Sequence, residues 1–390
     1  MSTAPCRIGL VGFGTVGSAV ARRLVRDHIP NLALTHIFDR RASHKRRLFQ
    51  AENRANAANP KNPENPENPE NPELVWTDRI DDLLTSNVDV IVEAVGGVDP
   101  AAEWIRRALD AGKSVVTSNK QAVAQHGPSL QALAARQGRQ LRFEGAVGGA
   151  MPIVRAVAES LAGDRIQRIV GILNGTTNVV LSQLEAPGWS IARALDEARA
   201  QGYAEADPSA DLDGIDAAAK LAILCALAFN LRIDPRAVET QSSAHLSRAD
   251  FDYARRRGAT IRQLAFAAYD RSRGELTAWV APAHVDRDSF FGCTTLARNA
   301  AVITGEFGGT VQLSGTGAGG DATAVAIIGD LLALARDRAA IVPAPSLSAP
   351  RAIVGLANRH EHEARGVSAP EGLGGFNGVV LGRDLAAEVL

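Results

Sequence analysis

Short apolar runs alternate with helix-spaced patterns along the first 145 residues. Where apolar positions are contiguous, buried strands are predicted at residues 7–11, 32–38, 89–97, 113–119 and 139–145. Helices are predicted at 99–111 and 121–137, and also where Val16, Val20 and Leu24 recur at helical spacing. Strands that alternate with helices are typical of βαβ units, so this part of the chain predicts a parallel sheet.

The pattern changes after residue 145. Helices are predicted within 148–162, 174–185, 190–201, 214–229 and 321–337. Strands are predicted at 165–173 and, as a pair, within 260–284, and the glycine-rich stretch 294–320 is mixed. We therefore expect one domain at 1–145, to which 321–340 returns, and a second domain at 146–320.

Two segments stand outside these domains. Residues 59–73 are five Asn-Pro-X triplets, which predict an extended, solvated loop because proline fixes φ and restricts the residue before it. The tail at 343–390 is rich in proline, alanine and glycine and is left unassigned.

Composition narrows the class of protein. The 390 residues are 46% hydrophobic with a net charge of −1, so bulk charge predicts neither nucleic-acid nor membrane binding. No apolar run reaches the roughly 18 residues of a membrane span, and the N-terminus lacks the features of a signal peptide. Three scattered cysteines argue against a disulfide framework. We expect a cytoplasmic protein with no nucleic-acid or membrane partner.

The sequence "GFGTVG" at 12–17 fits the dinucleotide-binding fingerprint, because it lies between a predicted strand and a predicted helix. Its glycines would allow a tight turn, close approach of a pyrophosphate and close helix packing. The predicted cofactor contacts in this loop are Gly12, Phe13, Gly14, Thr15, Val16 and Gly17. A purely structural glycine turn is the weaker alternative.

Asp39 ends the second predicted strand, where an acid would bind the adenosine ribose and favour NAD. Arg40 and Arg41 follow directly, and an arginine there could instead accept the 2′-phosphate of NADP. If both arginines are simply solvated surface residues, they do not indicate which cofactor is bound. The sequence leaves NAD and NADP both open.

Lys120 follows a strand of the predicted sheet, and the carboxyl ends of such strands bind ligands. A solvated surface lysine is the equal alternative by position alone. Lys220 lies four residues after Asp216 on a predicted helix, and such a pair is by spacing most often a weak surface ion pair. The alanines around Lys220 favour a partly buried amine instead, which could donate a proton, while Glu205 and Asp211 could bind a cationic substrate group.

The motifs, taken in order, resemble the homoserine dehydrogenase family. They are "GFGTVG", "DVIVEAVGG", "GKSVVTSNK", "EGAVGGAMPIV", "GILNGTTN", "GYAEADPSADLDGIDAAAKLAIL" and "GTGAGGDATA", and they cover about residues 7–340. The resemblance implies an α/β fold, with a Rossmann-type nucleotide-binding domain and an α+β substrate and dimerisation domain built on a mixed sheet. It also implies a homodimer or homotetramer.

The implied reaction is the reversible NAD(P)H-dependent reduction of L-aspartate 4-semialdehyde to L-homoserine, a step toward threonine, methionine and isoleucine. By motif, Lys220 resembles the general acid, Lys120 the second active-site lysine, which is also placed near the cofactor, and Asp216 a polar group of the pocket. The implied substrate contacts are Glu205, Asp211, Asn174, Gly175 and Thr176. Gly317 would approach the cofactor.

The resemblance further implies a monovalent cation, Na⁺ or K⁺, near "EGAVGGAM". Its expected ligands are Glu144 and the carbonyl groups of Val147, Gly149 and Met151. A glycine-rich hinge without a cation is an almost equal alternative. Two rivals to the implied activity are a nicotinamide enzyme for another semialdehyde or amino acid, and a non-catalytic NAD sensor.

Overall fold

The fold is described from a computed structural model of the chain. The structure describes residues 4–27, 29–57, 74–185, 189–201, 203–204, 207–337, 349–350 and 352–354. The predicted loop at 59–73 lies outside them, as does the tail at 343–390 apart from its last two ranges. The chain divides into two compact units, one with the described residues of 1–146 and 319–345, the other with those of 147–318 and 346–390.

The elements are numbered along the whole chain. The helices are Thr15–Arg26 (α1), Ala42–Ala57 (α2), Ile80–Thr85 (α3), Ala101–Asp110 (α4), Lys120–Arg136 (α5), Ile153–Arg155 (α6), Gly175–Leu184 (α7), Ile191–Ala200 (α8), Ser209–Leu212 (α9), Ile215–Phe229 (α10), Arg248–Arg256 (α11) and Gly320–Arg336 (α12). The strands are Cys6–Val11 (β1), Leu32–Phe38 (β2), Val75–Thr77 (β3), Val90–Glu93 (β4), Ser114–Thr117 (β5), Leu141–Arg142 (β6), Ile166–Ile172 (β7), Glu239–Thr240 (β8), Ala259–Asp270 (β9), Glu275–Asp286 (β10), Arg298–Gly305 (β11), Thr310–Thr316 (β12) and Ala352–Val354 (β13). Short 3₁₀ turns occupy Glu144–Ala146 and Pro235–Ala237, and a π-helical turn at Ala156–Ser160 follows α6.

Two predicted elements are shorter than the sequence indicated. The strand expected at 139–145 is only β6, because the N–H of Glu144 donates to the carboxylate of Asp330 (2.8 Å) in place of a strand neighbour. The helix expected within 148–162 begins only at Ile153, because Gly148 and Gly149 have φ of +82° and +60°, which a right-handed helix does not accommodate. The sequence patterns did not predict α2, α3 or β3.

The first unit contains a six-stranded parallel sheet in the order β3-β2-β1-β4-β5-β6. The strand order reverses between β1 and β4, and in such sheets ligands bind beyond the carboxyl ends of the two strands at the reversal. Ile8, Leu10 and Val92 pack with Val20 of α1 and Ile327 of α12 in one buried cluster. This packing holds α1 directly behind the end of β1. The predicted Rossmann-type sheet is confirmed.

The second unit contains a seven-stranded mixed sheet in the order β12-β11-β7-β9-β10-β13, with β8 beside β10. The long strands are antiparallel, and only β8 and β13 run parallel to their neighbour β10. Phe266 and Trp279 stack at 5.0 Å in a cluster of buried sheet residues. A separate cluster joins Val180 of α7, Phe251 of α11 and Ile261 of β9. The predicted mixed sheet is confirmed.

No helix in the described ranges is both long enough and apolar enough to cross a membrane.

A buried histidine of β10 predicts a loss of stability in weak acid. Burial lowers the pKa of His284, Arg257 lowers it further, and Asp250 partly opposes them. Because the folded pKa lies below the unfolded value, the unfolded state binds the proton more readily. The stabilisation is therefore complete above the unfolded pKa, about 6.5, and is lost as pH falls through the folded pKa. We expect the melting temperature to fall between pH 7.5 and pH 5.

The variant His284→Gln should show a smaller fall in melting temperature over that interval, measured by thermal denaturation in a series of buffers. His126 lies on the exposed surface of α5, so His126→Gln is the matched control and should follow the wild-type curve. A His284→Gln profile as steep as the wild-type one would exclude this residue as the cause.

Candidate active site

Lys220 and Asp216 form a buried ion pair in the second unit. Both are on α10, one turn apart, and Nζ lies 2.7 Å from Oδ2, with side-chain exposures of 12% and 7%. Asp216 is in the first turn of the helix, where the exposed N–H groups favour a negative charge. The pair is therefore not the solvated surface contact that its spacing alone favoured.

The ammonium group of Lys220 retains an unused donor. Its Nζ donates to the carbonyl oxygen of Leu173 (2.8 Å) as well as to Asp216. A lysine ammonium has three N–H donors, and its third has no hydrogen-bond partner within the described ranges. This nearly buried cation can donate one hydrogen bond to a ligand oxygen without breaking another.

Asn174 holds two carboxylates beside this lysine. Its Oδ1 accepts the N–H of Thr177 (2.7 Å) and so caps α7. Its Nδ2 donates to Asp211 Oδ1 (2.6 Å) and Asp216 Oδ2 (2.8 Å). The structure therefore brings together four predicted site residues, Asn174, Asp211, Asp216 and Lys220.

The other predicted substrate contacts lie near this cluster in the chain. Gly175 is the buried first residue of α7. Thr176 is partly exposed, and its hydroxyl donates to the carbonyl oxygen of Tyr203 (2.7 Å). Glu205 lies outside the described residues.

Gly317 is required by packing within the second unit. A Cβ atom at this position would lie 2.1 Å from Oδ1 of Asn299, which is fully buried. Nδ2 of Asn299 donates to the carbonyl oxygen of Leu173 (3.2 Å), the group that also accepts from Lys220. Asn299 was missed because no local motif marks it; its place beside the lysine arises from the pairing of β11 with β7.

Asn178 is a second residue that the sequence analysis missed. It is buried, and its Nδ2 lies within hydrogen-bond distance of the carbonyl oxygens of Thr294, Leu296 and Arg298 (2.9–3.2 Å). These contacts fix the loop before β11. The sequence could have indicated this residue, because Asn178 is the last residue of the motif "NGTTN".

The glycine loop of the first unit has the geometry of a phosphate-binding turn. Gly12 has a φ of +94°, and a Cβ atom on Gly17 would lie 2.0 Å from the carbonyl oxygen of Gly12. A Cβ atom on Gly14 would meet no atom within 4 Å, so the chain is open at this point. Gly14 is the N-cap of α1 and supplies no side-chain cap, which leaves helix N–H groups for an anion.

Asp39 links the end of β2 to this loop. Its Oδ2 accepts the N–H of Phe13 (2.9 Å), and its Oδ1 accepts the N–H of Arg41 (2.8 Å). Asp39 is partly exposed and Arg40 is exposed, so both remain accessible to a ligand. The ring of Phe13 packs in the core against Trp76 (4.9 Å between centroids), so only its backbone can face a cofactor.

Of the other predicted loop contacts, Thr15 is exposed and Val16 is partly buried against the core. Lys120 is partly exposed and is the first residue of α5. The N-cap of that helix is Asn119, whose Oδ1 accepts the N–H of Ala122 (3.1 Å).

A buried network fixes the strand ends around Asn119. The side chain of Asn119 donates to the carbonyl oxygen of Gly97 (2.6 Å), and its N–H donates to Thr117 Oγ1 (2.9 Å). Thr117 donates in turn to Glu93 (2.5 Å), whose other oxygen accepts the N–H of Val95 (2.8 Å). The sequence analysis missed Glu93, although an acid directly after the apolar run of β4 was visible.

The burial and backbone conformation of the predicted cation ligands are as follows. Glu144 is 4% exposed in the first unit. In the second unit Gly149 has a φ of +60°, Val147 is buried, and the carbonyl oxygen of Met151 accepts the N–H of Ile153 (2.8 Å). A search of the described ranges finds no group of three or more His, Cys, Asp or Glu side chains that could hold a metal ion. The cation stays a prediction.

Comparison with known proteins identifies both units. The model of the homoserine dehydrogenase family matches residues 152–332, and that of the homoserine dehydrogenase NAD-binding domain matches residues 12–144. The homoserine dehydrogenase of Corynebacterium glutamicum is 36% identical over 334 residues, which are 85% of this chain and 72% of that protein. The chain belongs to the homoserine dehydrogenase family.

Two further relatives of the family define the extent of the match. The homoserine dehydrogenase of Mycobacterium bovis is 42% identical over 266 residues, or 67% of this chain, and the match spans only 60% of the length of that relative. The crystal structure of a homoserine dehydrogenase from Thiobacillus denitrificans superimposes with a TM-score of 0.78 at 32% identity. That match covers 90% of this chain and 80% of the crystallised chain.

The bridge that Asn174 forms between Asp211 and Asp216 predicts a pH-dependent defect. Asn174→Asp keeps an acceptor for the α7 cap but replaces the shared donor with a third carboxylate beside Asp211 and Asp216. Like charges at this distance disfavour one another, so one carboxylate should retain a proton to higher pH. We expect kcat to fall about 10-fold or more, corresponding to roughly 1.4 kcal/mol.

The measurement is a pH–rate profile, in which the acidic limb should move to higher pH. Ser190→Asp is the matched control, because Ser190 caps α8 by accepting the N–H of Arg193 (3.3 Å). An Asn174→Asp profile that coincides with the control would contradict the proposed bridge.

Proposed function

We propose that the chain catalyses the reversible NAD(P)H-dependent reduction of L-aspartate 4-semialdehyde to L-homoserine. The observation that carries this proposal is the nearly buried Lys220, held by Asp216 and the carbonyl of Leu173 with one N–H in reserve. Family membership supplies the class of reaction, and the geometry of the second unit supplies a proton donor suited to it.

In the direction of reduction, the aldehyde carbon gains a hydride and its oxygen gains a proton. The unused N–H of Lys220 would bind the aldehyde oxygen, stabilise the negative charge that develops there, and transfer the proton. In the reverse direction the neutral amine would remove the hydroxyl proton of homoserine. Asp216 would keep the ammonium oriented, since it accepts from both Lys220 and Asn174.

The substrate is an amino acid, and its ammonium group needs an anionic partner. Asp211 is held by Asn174 at 2.6 Å and is the described carboxylate next to the Lys220–Asp216 pair. We assign it, together with Glu205, to the substrate ammonium. Gly175 and Thr176 would shape the pocket at the start of α7, and Lys120 would serve as the second lysine of the site.

The residues of the first unit fit a nicotinamide dinucleotide, which supplies the hydride when bound. The open α-carbon of Gly14 and the uncapped start of α1 suit a pyrophosphate. Asp39 has its carboxylate at the end of β2, where the adenosine ribose would lie. Arg40 is exposed beside it, so the residues fit NAD and NADP alike.

The proposal also includes an oligomeric state and a monovalent cation. We expect a homodimer or homotetramer, which light scattering of the purified protein would establish. We also expect Na⁺ or K⁺ to raise activity through Glu144, Val147, Gly149 and Met151. Rates in choline chloride and in potassium chloride at equal ionic strength would differ if such an ion is needed.

The proposed activity is tested by following homoserine-dependent reduction of NAD and of NADP side by side. Saturable turnover with at least one cofactor is the expected result. The ratio of kcat/KM for the two cofactors, compared among wild type, Asp39→Ala and Arg40→Ala, would assign the preference to one of these side chains. Homoserine should be preferred over serine and threonine under the same conditions.

Two outcomes would replace this function with another. NADH binding by fluorescence without turnover of homoserine would favour a dinucleotide sensor. Turnover of a different amino acid or semialdehyde, with none of homoserine, would favour a related oxidoreductase.

A further inference from the structure

A cavity lies in the first unit at the amino ends of the parallel strands, opposite the carboxyl ends where the glycine loop begins. It measures about 270 Å³ and is formed at the amino ends of β1, β4 and β5. A liquid-like water takes up about 30 Å³, so the cavity has room for a tetrahedral anion and part of a larger molecule. The proposed dehydrogenase reaction makes no use of it.

Three basic side chains line the cavity, against one carboxylate. They are Arg7, Lys113 and Arg139, and the acid is Asp89. Asp89 is engaged by Arg7, because its Oδ2 accepts the backbone N–H of Arg7 (2.8 Å) and lies 3.7 Å from the guanidinium. Neither Lys113 nor Arg139 forms an ion pair with a carboxylate in the described ranges, so the lining carries an excess of positive charge.

Lys113 is the most buried of the three basic residues. It is only 6% exposed, and its ammonium donates to the carbonyl oxygens of Ser86 (2.7 Å) and Val88 (3.1 Å). These acceptors carry no net charge, and the third N–H has no hydrogen-bond partner in the described part of the chain. A buried cation that has no carboxylate in hydrogen-bond contact is costly, so an anion bound beside it would be favourable.

Arg139 is an exposed residue of the cavity lining. Its side chain forms neither an ion pair nor a hydrogen bond with any residue in the described ranges, while its backbone N–H donates to the carbonyl oxygen of Ala134 (2.8 Å). Its planar guanidinium presents several donors that match the oxygens of a phosphate or carboxylate. Burial lowers the pKa of Lys113, Asp89 opposes this lowering, and the positive charges of Arg7 and Arg139 lower the pKa further.

We infer that this cavity is an anion site that binds a phosphate group, either free phosphate or the phosphate of a small ester. The buried Lys113 and the exposed Arg139 would both donate to the phosphate oxygens, and Ser114 also lines the cavity. The site is separate from the dinucleotide loop, because its residues come from the amino ends of the strands and those of the loop from the carboxyl ends.

The test is phosphate binding to the full chain, followed by isothermal titration calorimetry and by melting temperature at constant ionic strength in chloride. NADH is kept at saturation so that phosphate does not occupy the glycine loop. We expect one saturable site per chain, with stabilisation that follows the ligand concentration. Glycerol 3-phosphate, titrated in parallel, distinguishes an ester from free phosphate by which of the two binds more tightly.

Arg139→Gln is the main variant, because the side chain of Arg139 is exposed and forms no hydrogen bond or ion pair within the described ranges. Loss of a charged hydrogen-bonding partner should weaken phosphate binding about tenfold or more. Lys113→Met should abolish it, with melting in chloride as the check that this variant folds. Arg136→Gln is the matched control, since Arg136 is exposed at the end of α5 and does not line the cavity.

Three results would overturn the inference. One is phosphate binding to the wild type that does not saturate, or that stabilises the protein no more than chloride does. Another is unchanged affinity in Arg139→Gln. The third is phosphate binding that disappears in Gly14→Ala while it persists in Arg139→Gln, because the anion would then occupy the glycine loop.

Discussion

Lys220→Met is expected to lower kcat for homoserine oxidation by about 10²–10⁴-fold, the usual contribution of a positioned acid or base. Methionine has similar length and no proton to exchange. Cofactor binding should be unchanged, because Lys220 belongs to the second unit and the glycine loop to the first. Initial rates and NADH fluorescence titrations measure the two quantities.

The same substitution leaves Asp216 buried without its cation, so some loss of stability is expected. The double variant Lys220→Met/Asp216→Asn also removes the buried negative charge and should regain stability without regaining activity. Lys45→Met, on α2, is the control for the loss of a lysine. A Lys220→Met enzyme whose kcat stays within threefold of wild type would exclude Lys220 as the proton donor.

Gly14→Ala and Gly17→Ala should fail in different ways, although the two glycines are three residues apart. A methyl group on Gly17 would lie 2.0 Å from the carbonyl oxygen of Gly12, a backbone atom that cannot rotate away. Overpacking of this kind costs about 1–3 kcal/mol of the free energy of unfolding. Gly17→Ala is therefore expected to lower the melting temperature and weaken cofactor binding together.

A methyl group on Gly14 meets no protein atom within 4 Å. Gly14→Ala should change the free energy of unfolding by no more than about 1 kcal/mol, the scale of an N-cap substitution. The methyl would occupy the space of the pyrophosphate, so affinity for NADH should fall about tenfold or more. Chemical denaturation and NADH titration separate the two effects, and Gly163→Ala, also without a neighbour within 4 Å, is the control.

A Gly14→Ala protein that binds NADH normally would remove this loop from the cofactor site. If instead Gly14→Ala were as unstable as Gly17→Ala, the added methyl group would have to contact other protein atoms, contrary to the open space found at Gly14. The comparison thus tests the cofactor role of the loop independently of catalysis.

Local patterns predicted most of the secondary structure in both units. Runs of apolar residues predicted the strands β1, β2, β4 and β5, and apolar stretches bounded by turn residues predicted the helices α4, α5, α7, α8, α10 and α12. Predictions of elements were wrong where a contact between residues distant in the chain, and not the local sequence pattern, decided the structure. The strand at 139–145 was shortened by the hydrogen bond between Glu144 and Asp330, which are far apart in the chain.

The candidate site likewise has some features that the sequence predicts and others that depend on tertiary structure. The glycine loop and Asp39 are recognisable from the sequence because their function depends on local backbone shape at the end of a strand. Lys220 and Asp216 are recognisable as a pair because α10 brings residues four apart together. Whether that pair is exposed or buried is not a local property, and spacing alone favoured the wrong alternative.

The sequence by itself determined the strand and helix pattern, the dinucleotide loop and the resemblance to a family. Only the tertiary structure decided that Asn174 joins Asp211 to Asp216, that Asn299 and Lys220 share the carbonyl of Leu173, and that three basic residues surround one cavity. Each of these contacts joins residues from separate elements. Burial and hydrogen-bond partners depend on how strands pair and helices pack, which no short stretch of sequence encodes.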